Sequence, residues 1–247
     1  MANKDFFSLS GERILVTGAA GGIGSAAAKA CATLGAELVL ADVAPAEQLR
    51  AELEAMGATA SCYVANTADR AEIEELVAKS QPLDAAVDCA GLYPLGDWLT
   101  DPDWDAAFRK VLEVNLMGPV NLARAVMPAM MERRKGRIVL VGSVAGRSGG
   151  AAAGTQAHYV AAKGGVHSLV RWLSRRAIGH NVLVNGIAPG PVDTRMNAGA
   201  GHNLEALPMR RMGHPDEIGW PIAFLCTPAS SYMSGAILDV NGGTFVG

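Results

Sequence analysis

The chain of 247 residues has few aromatic residues (5%), few charged residues (18%) and only four cysteines. The cysteines form no C-x-x-C pair, and the five histidines show no H-x-x-x-H spacing. We therefore predict no structural zinc site, no disulfide framework and no helical metal site. Hydrophobic residues make up 50% of the chain, which is typical of a well-buried α/β protein rather than a disordered one.

The sequence also lacks long apolar runs and long basic runs. No run approaches the ~18 apolar residues needed to span a bilayer, and no apolar core of signal-peptide length follows the N-terminus. We therefore expect a soluble, cytoplasmic protein with no membrane partner. The formal net charge is -3, and the most basic stretch, Arg133-Arg134-Lys135, is interpreted as a solvated helix end. Nucleic acid is not expected as a partner.

Short apolar runs alternate with segments of helical periodicity along the whole chain, with no linker between them. This alternation predicts one α/β domain over residues 1–247, with a doubly wound parallel sheet of seven strands (Rossmann-type) and helices on both faces. The stretch 190–213 lacks clear periodicity, and a loop that long inside a compact domain is usually functional. We predict a flexible substrate loop there. Strands are predicted at 12–17, 37–41, 60–64, 83–87, 137–141, 182–187 and 236–240, and helices at 25–34, 46–56, 69–79, 103–131, 155–177 and 215–226, the 103–131 segment kinked or interrupted at Gly118-Pro119 and Pro128.

A glycine cluster follows the first strand and leads into the first helix. Gly18, Gly22 and Gly24 lie in this turn. Glycine lets a backbone approach a ligand closely, and the free N–H groups at a helix start favour an anion. The turn therefore predicts a phosphate cradle, with a merely flexible turn as the alternative.

The second strand ends at Asp42, 18 residues after Gly24. A carboxylate at about this distance from the glycines is where an adenosine ribose is held through its hydroxyls. The same carboxylate repels a 2′-phosphate, and no Lys or Arg lies between Thr17 and Ala28 to attract one. NAD is therefore favoured over NADP, unless Asp42 is only a polar strand end.

Tyr159 and Lys163 are four residues apart in a predicted helix and therefore point the same way. A phenol titrates near pH ~10, and a nearby ammonium lowers that pKa. The pair is interpreted as a general acid/base for a hydroxyl or a carbonyl oxygen. Ordinary surface polarity is the alternative, although the other three tyrosines have no lysine at this spacing.

In these motifs the chain resembles the short-chain dehydrogenase/reductase family, in its compact branch, from about Leu9 to the C-terminus. Each motif alone is common, but the ordered set is highly specific. The motifs are Thr17-Gly18-x-x-x-Gly22-x-Gly24, Ala90-Gly91, Asn115, Ser143, Tyr159-x-x-x-Lys163, Pro189-Gly190 and the closing turn Asn241-Gly242-Gly243.

The resemblance implies a role for each residue of the catalytic set. Tyr159 would exchange a proton with the substrate oxygen while a hydride moves to or from a nicotinamide. Lys163 would lower the Tyr159 pKa and hold the nicotinamide ribose. Ser143 would orient the substrate oxygen, and Asn115 would anchor a water that connects Lys163 to solvent.

The resemblance also implies cofactor contacts and an assembly. Ile23 would lie beside the pyrophosphate, Asn66 and Thr67 would flank the adenine, and Val192 and Thr194 would meet the carboxamide. Ala90 and Gly91 would touch the adenosine ribose. A homotetramer is implied, with the long helices and the last strand in contact. The full predicted cofactor set is Gly18, Gly22, Ile23, Gly24, Asp42, Asn66, Thr67, Ala90, Gly91, Tyr159, Lys163, Pro189, Gly190, Val192 and Thr194.

Three features depart from the family's usual pattern. Asp88-Cys89 stands where Asn-Asn is usual, and a buried Asp88 would need hydrogen-bond donors to stay ionised. Ser143 and Tyr159 are 16 residues apart, which indicates an enlarged loop at 147–154 over the substrate. Gly164-Gly165 weakens the helix by up to ~1 kcal/mol per glycine, a cost that a close contact with a neighbouring backbone would explain.

These observations predict an NAD-dependent oxidoreductase acting on a secondary alcohol or its ketone. One alternative is a reductase of 3-oxoacyl thioesters, which would prefer NADPH. Another is a regulator that binds NAD without turnover, although such proteins tend to lose the tyrosine or the lysine. The predicted pocket walls are mostly apolar and indicate a hydrophobic or ring-bearing substrate. They are Tyr93, Leu95, Trp98, Ala151, Met196 and Leu204.

Overall fold

Seven parallel strands form a single sheet in a computed structural model that describes residues 5–150, 155–198 and 202–247. The strand order is β3-β2-β1-β4-β5-β6-β7, so successive strands are added on one side of β1 up to β3 and on its other side from β4 onward. The predicted doubly wound parallel sheet is confirmed. The strands are β1 Arg13–Thr17, β2 Glu37–Asp42, β3 Ala60–Val64, β4 Ala85–Asp88, β5 Gly136–Val141, β6 Val182–Pro189 and β7 Ile237–Val240.

Helices cover both faces of this sheet. They are α1 Gly22–Thr33, α2 Glu47–Ala55, α3 Arg70–Ser80, α4 Trp104–Leu112, α5 Gly118–Arg133, α6 Ala145–Ser148, α7 Ala157–Ala177 and α8 Pro215–Cys226. Short 3-10 turns occur at Ile178–His180, Arg195–Asn197, Leu204–Ala206 and Pro228–Ser230.

The core is divided by the sheet into two layers, because successive strand residues point to opposite faces. Ile14 and Val16 of β1 pack in the layer that includes α1 and α8, whereas Leu15 packs in the layer that includes α3, α5 and α7. All three side chains are fully buried. This double burial explains why the central strands are continuous apolar runs rather than alternating ones.

The predicted interruption of the segment 103–131 lies earlier than the sequence indicated. α4 ends at Leu112, a π-helical turn spans Glu113–Met117, and α5 then begins at Gly118 and continues through Pro128. Pro119 lies in the first turn of α5, directly after the π-helical turn, and the helical backbone continues through it. The π-helical turn carries Asn115.

The polar and glycine motifs meet at the carboxyl edge of the sheet. The glycine turn follows β1, Asp42 ends β2, Ala90-Gly91 follows β4, and Ser143 follows β5. Ligands of open α/β sheets bind in the crevice at this edge, next to the point where the strand order reverses. Among the described residues, no helix has the length and apolar character required to cross a membrane.

Candidate active site

Tyr159 lies in the first turn of α7, at the wall of a cavity of about 460 Å³. A hydrogen bond joins its hydroxyl to the Ser143 side chain. The Tyr93 ring contacts the Tyr159 ring edge-on, with centroids 4.7 Å apart and planes at 73°. The half-buried phenol is therefore flanked by a serine and a second aromatic ring at the cavity wall.

The sequence predicts that Lys163 lowers the Tyr159 pKa, and this prediction is wrong for the arrangement of residues in this structure. Burial raises this pKa to about 12, against the lowering effect of the Ser143 hydrogen bond, and Tyr93 raises it further. Lys163 does not offset the burial, because its Nζ atom lies 5.9 Å from the centroid of the Tyr159 ring and donates elsewhere. Desolvation disfavours the charged phenolate, and here it is the largest effect.

Lys163 is buried, and its Nζ atom donates a hydrogen bond of 2.7 Å to the main-chain oxygen of Val141. Burial lowers the Lys163 pKa, while the charges of Asp88 and Cys89 oppose that lowering. The ammonium is thus held at the end of β5, one helical turn from Tyr159.

Asp88 ends β4 and is also fully enclosed. Its Oδ1 atom accepts a hydrogen bond of 2.6 Å from the Thr17 hydroxyl, whereas Oδ2 is buried with no hydrogen-bond partner among the described residues. Burial raises the Asp88 pKa to about 6, although the bonds from Thr17 and from the Ala90 N–H, and the Lys163 charge, lower it. The hydrogen-bond donors that a buried Asp88 was expected to need are therefore present, but they do not return its pKa to the ordinary value.

Ser143 is buried immediately after β5, where the chain turns into α6. Its Oγ atom accepts from the Ala145 N–H at 3.1 Å, and its own N–H donates to His167 Nε2 at 3.4 Å. Burial lowers the pKa of His167 to about 4, so this imidazole is neutral and can accept. The serine is fixed through both its main chain and its side chain.

Asn115 is fully buried in the π-helical turn. Its Oδ1 atom accepts from the Leu92 N–H at 2.7 Å, and its Nδ2 atom donates to the Leu92 oxygen at 2.8 Å. The side chain therefore fixes the segment after β4. Its role in connecting Lys163 to solvent stays a prediction.

The glycine turn has the form of a cradle in which side chains do not fit. A Cβ atom on Gly18 would lie 2.6 Å from the main chain of Ala90, one on Gly24 would lie 2.1 Å from the Gly18 oxygen, and one on Gly22 would lie 2.7 Å from Thr194 Cγ2. Gly18 also has a φ of +65°. The turn is open to a phosphate group along its backbone, so the residues present fit a dinucleotide.

Asp42 lies beside this turn at the end of β2. Its Oδ2 atom accepts from the Ala20 N–H at 2.9 Å, and its Oδ1 atom accepts from the Ala44 N–H at 3.1 Å. Each carboxylate oxygen keeps a further lone pair for a ribose hydroxyl.

Asn66 and Thr67 follow β3, farther along the same edge. Asn66 accepts from the Ala68 N–H through its side chain. The Thr67 side chain is buried against Gly118 at the start of α5, so it does not face the open crevice. Contact of Thr67 with an adenine would therefore have to come through its main chain.

The cavity brings most of the predicted residues together. Of the pocket walls expected from the sequence, Tyr93 and Met196 line it. Leu95, Trp98 and Leu204 are exposed and do not line it in the described part of the protein. Ala151 lies outside the described residues, as does the whole of the segment 151–154. The predicted catalytic and cofactor residues that line the cavity are Ile23, Ala90, Gly91, Ser143, Tyr159, Lys163, Pro189, Gly190, Val192 and Thr194.

Several lining residues were not predicted. Some come from the segment after β6 and from the chain's last turn, neither of which has a periodic pattern. Others lie just before α6 and α7. His202 is one of the unpredicted residues, and its Nε2 atom lies 3.5 Å from Asn197 Oδ1 at the cavity. The closing turn at Asn241-Gly242-Gly243 was the one signal that pointed to the C-terminal contribution. The unpredicted residues include Val144, Thr155, Asn197, His202, Asn203, Leu207 and Thr244.

Comparison with known proteins agrees with this geometry. The family model described as enoyl-(acyl carrier protein) reductase matches residues 18–244. The 3-oxoacyl-[acyl-carrier-protein] reductase FabG of Thermotoga maritima is 34% identical over 96% of this chain and 99% of its own. The galactitol 2-dehydrogenase (L-tagatose-forming) of Cereibacter sphaeroides is 37% identical over 98% of each chain.

A solved structure is similar over the same length. The crystal structure of a candidate 2-deoxy-d-gluconate 3-dehydrogenase from Agrobacterium tumefaciens, with bound NADP, superposes with a TM-score of 0.89. It is 31% identical and covers 98% of this chain and 99% of that one. With seven parallel strands, the glycine cradle and the serine, tyrosine and lysine at one cavity, the chain belongs to the short-chain dehydrogenase/reductase family of oxidoreductases, in its compact branch.

Proposed function

We propose that this protein is an NAD-dependent oxidoreductase that interconverts a secondary alcohol and its ketone by hydride transfer. The observation that carries the proposal is the meeting of Ser143, Tyr159 and Lys163 at one cavity beside the glycine cradle. The nicotinamide would supply or accept the hydride, and the protein would position and polarise the substrate.

Tyr159 is proposed as the general acid and base. With a pKa of about 12, its phenol is protonated at neutral pH and can give a proton to a ketone oxygen. The reverse reaction needs the phenolate, so alcohol oxidation is expected to become faster as the pH rises. Ser143 hydrogen-bonds the phenol and would hold the same substrate oxygen.

Lys163 is proposed to hold the nicotinamide ribose and to keep a positive charge near the phenolate. Its ammonium is fixed by the Val141 oxygen at 2.7 Å, so it is already placed at the cavity wall. A fixed cation stabilises a developing anion without reorganising during the reaction.

We propose NAD as the preferred cofactor because of the Asp42 carboxylate at the glycine cradle. Two groups that carry negative charge repel each other, so a 2′-phosphate beside Asp42 would bind less well than a ribose hydroxyl. The similar Agrobacterium structure contains NADP, which makes the choice of cofactor a direct test.

A second candidate is the reduction of 3-oxoacyl thioesters with NADPH. The similarity to the Thermotoga reductase favours it, since that protein is 34% identical to this chain over nearly its full length. The Asp42 carboxylate opposes it. Both candidates use the same three side chains and differ in the cofactor and in the group attached to the ketone.

We also propose that the protein assembles as a homotetramer. The outer faces of α5 and α7 form an open apolar groove whose walls include Met127, Met131 and Leu169, with Trp172 59% exposed at one side. A monomer gains nothing from presenting such a groove to water, and contiguous apolar patches mark contact surfaces.

The first experiment mixes the purified protein with NAD or NADP and a panel of secondary alcohols, and with NADH or NADPH and a panel of ketones and 3-oxoacyl thioesters. Turnover is followed by nicotinamide absorbance. We expect activity with NAD and NADH, and a loss of about 100-fold or more in Tyr159→Phe because the proton donor is removed. Tyr63→Phe, in β3 and away from the cavity, is the matched control and should keep its activity.

Three results would contradict the proposal. Turnover with NADP(H) alone, best on a thioester, would favour the second candidate. Full activity of Tyr159→Phe would remove Tyr159 from the chemistry. Tight NADH binding without turnover across the panel would favour a sensor that binds the dinucleotide only.

A further inference from the structure

Arg195 reaches across the crevice to the glycine turn from a position 175 residues later in the chain. Its Nη2 atom donates a hydrogen bond of 3.0 Å to the main-chain oxygen of Ala20. The N–H of the same residue, Ala20, donates to Asp42, so Ala20 is bonded to the aspartate through its N–H and to the arginine through its carbonyl oxygen. The turn itself contains no cation, because no Lys or Arg lies between Thr17 and Ala28.

The backbone on either side of Arg195 is held in place over this turn. Thr194 lies so close that a Cβ atom on Gly22 would come within 2.7 Å of its Cγ2 atom. The base of the segment is tied down by the Asp193 N–H, which donates to the Gly213 oxygen at 2.9 Å, and by the Gly213 N–H, which donates to the Pro191 oxygen at 2.9 Å. The backbone that precedes Arg195 is therefore fixed at the crevice by hydrogen bonds and close packing.

The charge of Arg195 is not neutralised by a carboxylate among the residues that the structure describes. The other two arginines of this segment each have an acidic partner: Arg210 lies 3.9 Å from Glu205, and Arg211 lies 2.6 Å from Glu217. Arg195 is exposed and bonds only to a carbonyl oxygen within the described structure. A guanidinium has five N–H donors, so the bond to Ala20 leaves most of them for a ligand.

We propose that Arg195 binds the diphosphate oxygens of the dinucleotide. The bound cofactor would then link the segment 190–213, which carries Arg195, to the glycine turn. This inference rests on the proposed function, since it assumes a dinucleotide in the crevice. Arginine matches phosphate geometry through paired N–H donors, and a charge-assisted hydrogen bond is stronger than a neutral one. Arg195 thereby supplies the cation that the glycine turn lacks.

The test measures binding rather than turnover. Dissociation constants for NADH, NADPH and ADP-ribose are determined by fluorescence titration or calorimetry for the wild type, Arg195→Met, Arg195→Lys and the control Arg210→Met. We expect Arg195→Met to weaken all three ligands by about tenfold, as for loss of a charged hydrogen bond. Arg195→Lys should recover part of the loss, and Arg210→Met should match the wild type.

Salt supplies a second readout, because ionic strength screens an exposed charge pair. The affinity of the wild type for ADP-ribose should fall more steeply with added salt than that of Arg195→Met. A variant that merely disturbed the segment's structure would not flatten this dependence.

The outcomes separate the two proposals. If the wild type binds neither NADH nor NADPH, the proposed function fails. If the wild type binds and Arg195→Met binds equally well, the inference about Arg195 fails while the function stands. If only NADPH affinity falls in Arg195→Met, the residue contacts the 2′-phosphate, which overturns the diphosphate assignment.

Discussion

Asp88 places an ionisable carboxyl group at a fully buried strand end, where the family usually has asparagine. The Thr17 hydroxyl satisfies one oxygen at 2.6 Å, and the other has no partner in the described structure. An asparagine would present the same shape without the cost of desolvating a charge. The carboxyl group therefore makes the stability of the protein depend on pH in a way that the asparagine would not.

The sign of this dependence follows from the raised pKa. In the folded protein Asp88 titrates at about 6, above its ordinary value of 3.8, so the folded state binds this proton more tightly. The contribution of Asp88 to the free energy of unfolding is complete below pH 3.8, the pKa in the unfolded state. It is lost as the pH rises through about 6, the pKa in the folded state. We predict that Asp88→Asn is more stable than the wild type by a margin that grows from about pH 4 to about pH 6 and levels off above it at roughly 1 to 3 kcal/mol, measured as the free energy of unfolding at each pH.

A surface aspartate provides the control for this comparison. Asp105→Asn, on the exposed side of α4, should show no growing difference from the wild type over the same pH range. A constant difference between Asp88→Asn and the wild type at every pH would contradict a buried titrating carboxyl.

At this scale the sequence predicts contacts that are local and misses those that are distant. Tyr159 and Lys163 are found together because one helix sets their spacing. The bond from Arg195 to Ala20 spans 175 residues, and no periodic pattern connects the two positions. The direction of the Tyr159 pKa was also missed, since spacing reveals a neighbouring ammonium but not how deeply a ring is buried.

The contact between α6 and α7 sets the relative position of the catalytic side chains. Gly146 of α6 lies against the backbone of α7, where a Cβ atom would come 2.7 Å from the Lys163 carbonyl carbon and 2.8 Å from the Gly164 nitrogen. Ser143 precedes α6 and Lys163 lies on α7, so this close approach keeps the two side chains at one cavity. It does not explain Gly164-Gly165, because a Cβ atom on Gly164 would meet the Gly146 oxygen at an ordinary 3.7 Å, and one on Gly165 would lie 2.9 Å from a Leu116 side-chain carbon rather than from a backbone.

We predict that Gly146→Ala pushes α6 away from α7, because neither backbone can yield cheaply. Overpacking of this kind costs about 1–3 kcal/mol. The free energy of unfolding, measured by denaturant titration, should fall by that amount, and kcat should fall with it as Ser143 moves from Tyr159.

Gly179→Ala is the matched control, since a Cβ atom there would meet nothing within 4 Å. Its free energy of unfolding should stay within about 0.5 kcal/mol of the wild type. An unchanged stability and kcat in Gly146→Ala would show that the helices can separate freely.

Elements with strong periodicity were predicted from the sequence, and irregular ones were not. The seven strands were found because buried parallel strands are short apolar runs between turn residues. The four-residue helix α6 is too short to leave a period, and the π-helical turn at Glu113–Met117 follows from hydrogen bonding rather than from composition. Pro128 was expected to disturb α5, yet the helix continues through it.

On the scale of the whole molecule, the strand order explains why the site forms where it does. β1 and β4 are neighbours in the sheet but are separated by β2 and β3 in the chain, so a crevice opens between the segments that follow them. The sequence predicts a doubly wound parallel sheet from the alternation of strands and helices, but not the order of the strands within it. It does not predict which outer faces are covered by another copy, since an apolar side chain looks the same in a core and in an interface.

The groove between α5 and α7 makes the proposed assembly testable. Trp172 is 59% exposed there, and the Arg176 guanidinium lies 5.6 Å from its ring centroid. A buried carboxylate in an apolar contact is costly, so we predict that Trp172→Glu lowers the molar mass measured by light scattering from four copies to two or one.

Met56→Glu, at the exposed end of α2, changes an apolar side chain to the same charged one on another surface and should leave the assembly intact. If the wild type itself is a monomer, the groove serves another purpose and the proposed assembly is wrong. If the wild type is a tetramer and Trp172→Glu remains one, the contacts lie elsewhere, with the open edge of β7 as the next surface to change.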